Sequence, residues 1–301
     1  MAAPDSQSTV REVTADDYRR LFATMPTVFD TVDFALLNAA KCRRVAFVEG
    51  GGCGMVLGLG DDGVWRAPFS APYASMTGAG DAASFLDGLL AFTGGRLALT
   101  LPPPIYGGGA FAEALAARGL VSLHEYNYHY DLSHFADFEA GLSSLARRNL
   151  RRARRNDFSL SLTSDLDAVY AFIAEHHRRL GYRMAMALEQ VRDTLRVVPA
   201  DLFVLTLDGA VAAAGIFFHT APGVVQLINW GDDTSLRDLR TMNFMAWAVL
   251  QHYAADGVTR IVDLGPASTD GVKNDGLVRF KLSLGCTESL KPRLLGSNNV
   301  S

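Results

Sequence analysis

The order of its elements is what most constrains this chain. From residue 14 onward it reads twice through helix, three strands, helix, strand, helix, strand. In the first pass, Thr14-Ala15-Asp16-Asp17 reads as a helix start before Tyr18–Phe22, and Thr31–Ala40 is helical. Strand-like runs follow at Arg43–Val48, Met55–Leu59 and Gly63–Pro68. Then come a helix at Asp81–Phe92, a strand at Arg96–Leu101, a helix at Ala110–Arg118 and a long strand at Val121–Leu132. The second pass has helices at Leu166–Leu180 and Ala185–Val197, then strands at Leu202–Leu207, Val211–Thr220 and Val224–Trp230. A helix at Thr241–Ala254 follows, apolar on every side and therefore expected to be buried. The strand Arg260–Leu264, the helix Leu277–Leu284 and the strand Cys286–Arg293 complete it. The two passes match in architecture and not letter by letter, so the simplest reading is two tandem αβ units. Their boundary is placed near Ser133–Ala140, giving units of residues 1–135 and 136–301. Residues 1–13 and 296–301 read as loose ends.

Composition narrows the function classes. Hydrophobic residues are 49% and charged residues 20%, enough apolar content for a sizeable core. A net charge of −4 gives no global attraction to nucleic acid or anionic membrane, so such a partner would need a local patch. Cys42, Cys53 and Cys286 have no C-x-x-C spacing and read as reduced thiols suited to the cytoplasm. The polar N-terminus lacks a signal-peptide core. The longest apolar run, near Phe244–Leu250, falls far short of the roughly 20 residues that span a bilayer, so no membrane insertion is expected.

One local patch exists. Six arginines fall within nine positions: Arg147, Arg148, Arg151, Arg152, Arg154 and Arg155. Leu142, Ala146, Leu150 and Ala153 recur at helical spacing between them, so Leu145–Phe158 reads as an amphipathic helix with a basic remainder. Arginine grips phosphate with a planar fork, which points to RNA, coenzyme A or a nucleotide-linked substrate. The plainer reading is a solvated face paired with acidic neighbours.

The familiar catalytic signatures are missing. Gly78-Ala79-Gly80 precedes a helix without the third glycine of a dinucleotide fingerprint, and neither a Walker loop nor a G-x-S-x-G elbow is present. His176 and His177 are adjacent on a helix and point to different faces, and His124 and His129 also diverge, so no metal site is expected. His219 and His252 stand alone. The aromatic stretch Trp65–Tyr73 reads either as a lining of an acceptor cleft or as packing.

The segment Asp263–Gly285, DLGPASTDGVKNDGLVRFKLSLG, holds the one misplaced charge. On a helical wheel Leu277, Phe280 and Leu284 share a face, and Lys281 projects into that apolar sector. An ammonium there either snorkels to water or is aimed at a ligand.

These stretches resemble the FemAB-like group of doubled GNAT-type acyltransferases. The Arg-rich helix LSSLARRNLRRARRNDFSL is similar to that group's R-x-x-R element. The helix ending in His176-His177-Arg178-Arg179 is a second likeness. The late segment resembles the group's G…N-x-G-L…F-K…G pattern. The resemblance implies an α/β (α+β) fold of two tandem GNAT-like units, each a mixed, mostly antiparallel sheet flanked by helices. It implies an N-acyltransferase that moves an acyl group from an activated donor, acyl-CoA first, to an amine acceptor such as an envelope or polysaccharide precursor. The alternatives are an aminoacyl-tRNA-dependent transferase and a non-catalytic RNA-binding protein.

The group's Phe-Lys pair maps onto Phe280 and Lys281. The resemblance gives Lys281 the task of steadying negative charge and Phe280 that of packing the donor. Asp263 and His219 are candidate bases, with loss of the amine proton to water as the alternative. Asn274, Arg279, Arg151, Arg152 and Arg155 are candidate substrate or phosphate contacts. A standard acetyl-CoA enzyme binds pyrophosphate at a glycine-rich helix start. The corresponding loop here, Gly231–Arg240, has no glycine pair, and its Asp232 and Asp233 would repel phosphate. The first-half stretch containing Gly78 and Gly80 comes closer, so these two glycines are candidate donor contacts.

Overall fold

A computed structural model describes residues 9–296 of the chain. The expected loose ends at residues 1–8 and 297–301 lie outside the described residues. The chain divides into one compact unit of Met1–Glu125 with Leu290–Ser301, and another of Tyr126–Ser289. The division thus falls at 125/126, about ten residues before the expected 135/136, and the last twelve residues go with the first unit. The last strand enters the first unit because its end pairs there: Arg293 and Leu294 lie opposite Thr100 and Leu99.

The first unit begins with strand β1 (Arg11–Val13), in a stretch expected to be loose. It pairs antiparallel with Phe47–Glu49, a pairing too short to show as periodicity. Helix α1 (Ala15–Leu21) is capped by Thr14, whose hydroxyl accepts from the N–H of Asp17. Helix α2 (Val32–Leu37) follows, then strands β2 (Arg44–Gly50), β3 (Cys53–Leu59), β4 (Trp65–Ala67) and β5 (Thr77–Gly78). Helix α3 (Ala82–Thr93) leads to β6 (Leu97–Thr100), and α4 (Gly109–Ala117) to β7 (Leu123–Asp131), which crosses into the second unit. The sheet is antiparallel except between β4 and β6, the pair joined through α3. Phe85, Leu86, Leu89 and Phe111 from the helices meet Met55, Leu57 and Leu97 from the strands. Trp65 and Tyr73 are buried, so the aromatic stretch supplies packing within this unit.

The second unit contains α5 (Phe138–Gly141), α6 (Ser144–Ala153), β8 (Ser159–Thr163), α7 (Leu166–Arg179), α8 (Leu188–Thr194), β9 (Ala200–Leu207), β10 (Ala210–Ala221) and β11 (Val224–Asp232). After them come α9 (Thr241–Ala255), β12 (Ile261–Pro266), a small hairpin of β13 (Ser268–Thr269) and β14 (Val272–Lys273), α10 (Asp275–Ser283) and β15 (Thr287–Leu294). Strand order in this unit is β7-β12-β11-β10-β9-β8, with one parallel pair, β11 and β12, joined through α9. Each unit therefore repeats the same plan: an antiparallel meander, a crossover helix and a single parallel pair. Helix α9 is buried as expected, with Phe244, Met245, Val249, Leu250 and Tyr253 in a core shared with Phe203, Phe217 and Val262.

The arginine-rich helix is shorter than the pattern predicts. It stops at Ala153 because the Asn156 side chain donates to the carbonyls of Arg152 and Ala153, leaving the next residues free to become β8. Strand β8 escaped detection because three of its five side chains are exposed and its pairing is with β9 alone. Ala146, Leu150 and Ala153 turn into the core while the arginines stay outside. Leu150→Ala should therefore cost about 2–4 kcal/mol of unfolding free energy, whereas Arg151→Ala should stay within about 0.5 kcal/mol. Urea denaturation of the two variants checks this, and equal losses would contradict the orientation of α6.

Candidate active site

The parallel ladder between β11 and β12 runs only from Val224↔Ile261 to Gln226↔Asp263, although both strands continue. The strands part at that level. Each is irregular there: β11 slips register against β10 next to Leu227 and Asn229, and β12 slips against β7 between Asp263 and Pro266. Parted strands leave backbone carbonyls to be satisfied elsewhere. Lys281, from α10, satisfies three of them. Its Nζ donates to the carbonyls of Leu264 (2.7 Å), Gly265 (2.8 Å) and Pro266 (2.9 Å).

Lys281 is 2% exposed, so it neither snorkels to water nor projects into open space. Burial pulls its pKa down to about 8, against the opposing pull of Asp263. At neutral pH it still holds its three protons, and all three go to these carbonyls. Asp263 is fully buried beside it. Its carboxylate accepts from Asn127 Nδ2 (2.7 Å), Gln226 Nε2 (3.0 Å) and the Gly265 N–H (2.9 Å). The two candidates thus form a buried pair of opposite charges that fixes the path of β12.

Beyond the parting lies a cavity of about 360 Å³, within the second unit. Leu180, Trp230, Met242 and Phe280 make its apolar wall, and the Trp230 and Phe280 rings meet edge to face at 6.0 Å. His176, Asp232, Arg237, Arg240, Thr241 and Asn243 supply the polar lining. Thr241 and Met242 open α9, whose start has no side-chain cap. The first N–H groups of a helix have no intrahelical acceptors, and the helix dipole adds partial positive charge there. Arg240 precedes this turn in a left-handed conformation (φ 63°), and its Nε is buried without a hydrogen-bond partner. A helix start of this kind beside two arginines suits an anionic group.

The aspartates of this loop are otherwise engaged. Asp233 caps the turn through the N–H and hydroxyl of Ser235. The carboxylate of Asp232 lies 3.1 Å from Nδ1 of His176. Both aspartates thus have partners of their own, although Asp232 still lines the cavity.

Of the candidate site residues named from the sequence, Phe280 alone lines this cavity. Asn274 is exposed and caps α10, accepting from the Leu277 N–H, and Arg279 is exposed. Gly78 and Gly80 belong to the first unit, where a side chain on either would strike the carbonyls of Gly52 and Gly51. Their lack of a side chain serves the close approach of two backbones, and Asp81 caps the helix they precede.

On α6, Arg154 pairs with Glu139 and lies over the Trp247 ring at 4.1 Å, and Arg147 donates to the carbonyls of Glu139, Ala140 and Leu142. Arg148, Arg151, Arg152 and Arg155 are exposed and have no acidic partner within ion-pair distance among the described residues. They form a solvated face without the acidic neighbours that the plainer reading expected. His176, Asp232, Arg237 and Arg240 escaped the sequence reading as cavity residues. The available signal was an Asp- and Arg-rich loop running straight into a buried helix.

No protein-family model and no curated protein sequence matches the chain. Solved structures do. FemX superposes over 95% of this chain and 97% of its own, with a TM-score of 0.63 at 12% identity. The fold is the doubled GNAT fold of the FemAB-like proteins. The C-terminal domain of a protein assigned as a lysylphosphatidylglycerol synthetase from Agrobacterium fabrum matches 95% of this chain and 93% of its own, with a TM-score of 0.62 at 13% identity. A tandem GNAT protein from the clavulanic acid biosynthesis pathway covers 96% and 99%, with a TM-score of 0.51 at 15% identity. The expected fold of two tandem GNAT-like units is therefore the observed one. Among the described residues, no helix is long and apolar enough to cross a membrane.

Lys281→Met should leave three carbonyls without a donor and cost about 3 kcal/mol or more of stability. Because its pKa is lower in the folded chain, the unfolded chain binds the extra proton between about pH 8 and pH 10.5. The stability of wild type relative to this variant should therefore rise across that window. Urea titrations at pH 7 and pH 10 measure both effects, and a flat difference would place the ammonium in water.

Proposed function

We propose that this protein is an acyl- or aminoacyl-transferase whose transfer site is the cavity beside the parted β11 and β12. The observation that carries the reading is the joining of three features: an aromatic wall and a cationic, uncapped helix start in one concavity, on the strand β11 that parts from β12. An activated acyl donor needs the same three things. Its anionic end binds Arg237, Arg240 and the first N–H groups of α9. Its acyl end reaches toward Trp230 and Phe280. An amine acceptor then attacks the carbonyl, with alignment supplying much of the acceleration.

Acyl-CoA is the first donor to consider, because its pyrophosphate suits the cationic end. FemX, the lysylphosphatidylglycerol synthetase domain and the tandem GNAT protein support this reading by fold. Lys281 and Asp263 act here as positioning residues that hold β12 apart from β11. Asn274 and Arg279 stand at the exposed side of α10, where they would meet an acceptor rather than the donor. Gly78 and Gly80 have no part in the proposed site.

Acetyl-CoA at about 100 times its dissociation constant should add roughly 2.7 kcal/mol to stability and raise the melting temperature. Arg237→Gln with Arg240→Gln should remove most of that rise while leaving the unliganded melting temperature near wild type. The absence of any rise in the wild type would exclude acyl-CoA as donor.

One observation favours a second reading. Arg148, Arg151 and Arg152 of α6, with Arg155 just past its end, form a basic face suited to a phosphate backbone, as an RNA-linked aminoacyl donor would present. RNA affinity should then fall steeply with salt, and each arginine removed should flatten the slope by about one unit. A salt-independent shift, or none, would count against an RNA-linked donor and against a non-catalytic RNA-binding protein on this fold.

A further inference from the structure

His176 stands at the end of α7 with its imidazole half-buried against the last turn of β11. Its Nδ1 lies 2.8 Å from the main-chain oxygen of Asp232 and 3.1 Å from the carboxylate of the same residue. Asp232 is 6% exposed, so its carboxylate acts on the ring with little screening by water. The side chain lies close against Gly231: a Cβ built there would lie 2.8 Å from both Cβ and Cγ of His176. Gly231 therefore has a purpose other than phosphate binding, since only a residue without a side chain lets the imidazole approach the strand. His176 and Asp232 both line the cavity that also holds Trp230, Phe280, Arg237 and Arg240.

Two oxygens lie nearer Nδ1 than the one donor beside it, the Asp232 N–H at 3.2 Å, and this favours a proton on that nitrogen. The neutral ring then carries its lone pair on Nε2, the nitrogen that makes no bond to Asp232. A carboxylate that fixes the tautomer of a cavity histidine and stabilises its protonated form is the arrangement of an oriented general base.

We propose that His176, held by Asp232 and seated on Gly231, is the general base that takes the proton from the nucleophile bound in this cavity. The proposal rests on the transferase reading above. In that reaction the acceptor nitrogen forms a bond to the acyl carbon, and the bond from that carbon to the leaving sulfur or oxygen breaks. One proton passes from the nitrogen to Nε2. It leaves His176 for the departing thiolate or alkoxide, so the enzyme returns to its starting state. Asp232 remains ionised and compensates the imidazolium.

The electrostatic surroundings are mixed. The bond to Asp232 raises the pKa of His176 above its usual value, while burial and Arg237 lower it. His177, its neighbour on α7, is itself held below its usual value by burial, with His176 adding to that. Arg240 lines the same cavity, and Arg179 on α7 lies 3.9 Å from Asp233.

Nitrogen-15 NMR of the histidine rings in the full chain tests the dyad without any substrate. The proposal expects a neutral His176 protonated on Nδ1, with a titration midpoint that falls in Asp232→Asn. A ring protonated on Nε2, with Nδ1 accepting from the Asp232 N–H 3.2 Å away, would overturn it, because no lone pair would face the nucleophile.

The kinetic arm uses acetyl-CoA with a panel of primary amines, read by released thiol, and charged tRNA with the same amines. His176→Gln should bind donor as the wild type does and lose 100-fold or more in kcat. The rate should rise with pH through the midpoint seen by NMR, and Asp232→Asn should move that rise to lower pH. Undiminished turnover in His176→Gln would overturn the proposal. Should His176→Gln fail to fold, Gly231→Ala replaces it, since it displaces the ring without removing it, and unchanged kcat there would overturn the proposal equally. If the wild type transfers nothing from either donor, the transferase reading fails, and the tautomer measurement still decides whether His176 is built as a base.

Discussion

The second unit depends on one buried ammonium. Two parallel strands that separate part-way along their length expose carbonyls to a low-dielectric interior, and each unsatisfied one costs free energy. Lys281 supplies three protons to three consecutive carbonyls of β12. Asp263 draws in two side-chain amides and one main-chain N–H on the same strand. Together they let β12 leave the ladder without collapsing back onto β11. The cavity lies against the end of β11 that continues past this parting.

The cavity shows how a loop with two aspartates comes to present positive charge. Asp233 is turned inward to cap a turn, and Asp232 faces an imidazole. The start of α9, Arg237 and Arg240 line the cavity beside the Asp232–His176 pair. Net charge counted along the loop is a poor guide to this end of the site, because Asp232 and Asp233 already have partners. The basic face of α6 is the opposite case. Its charges stand in the sequence as a run, and four of them remain without acidic partners in the fold.

The doubled plan of elements was legible because it rests on periodicity, and periodicity survives in any single sequence. Helix α9 declared itself by being apolar all round, and Lys281 by falling in the apolar sector of its wheel. Short elements were not legible. Strand β1 and the β13–β14 hairpin span two or three residues each, too few for a pattern, although the Asp270-Gly271 pair at the hairpin tip is a recognisable turn signal. The exchange of the last strand was hidden for a different reason: strand pairing across nearly 200 residues, as between Arg293 and Thr100, leaves no local trace.

The sequence by itself determined the two αβ units, the burial of α9, the amphipathic basic helix and the anomaly at Lys281, since all of these are set by the spacing of apolar and charged residues along the chain. Tertiary structure decided what the charges do. It spent the protons of Lys281 on backbone carbonyls, turned Asp232 toward His176, and set Gly231 where only a bare backbone admits the ring. Those outcomes depend on which partner stands within about 3 Å, and that distance is fixed by packing between elements far apart in the chain.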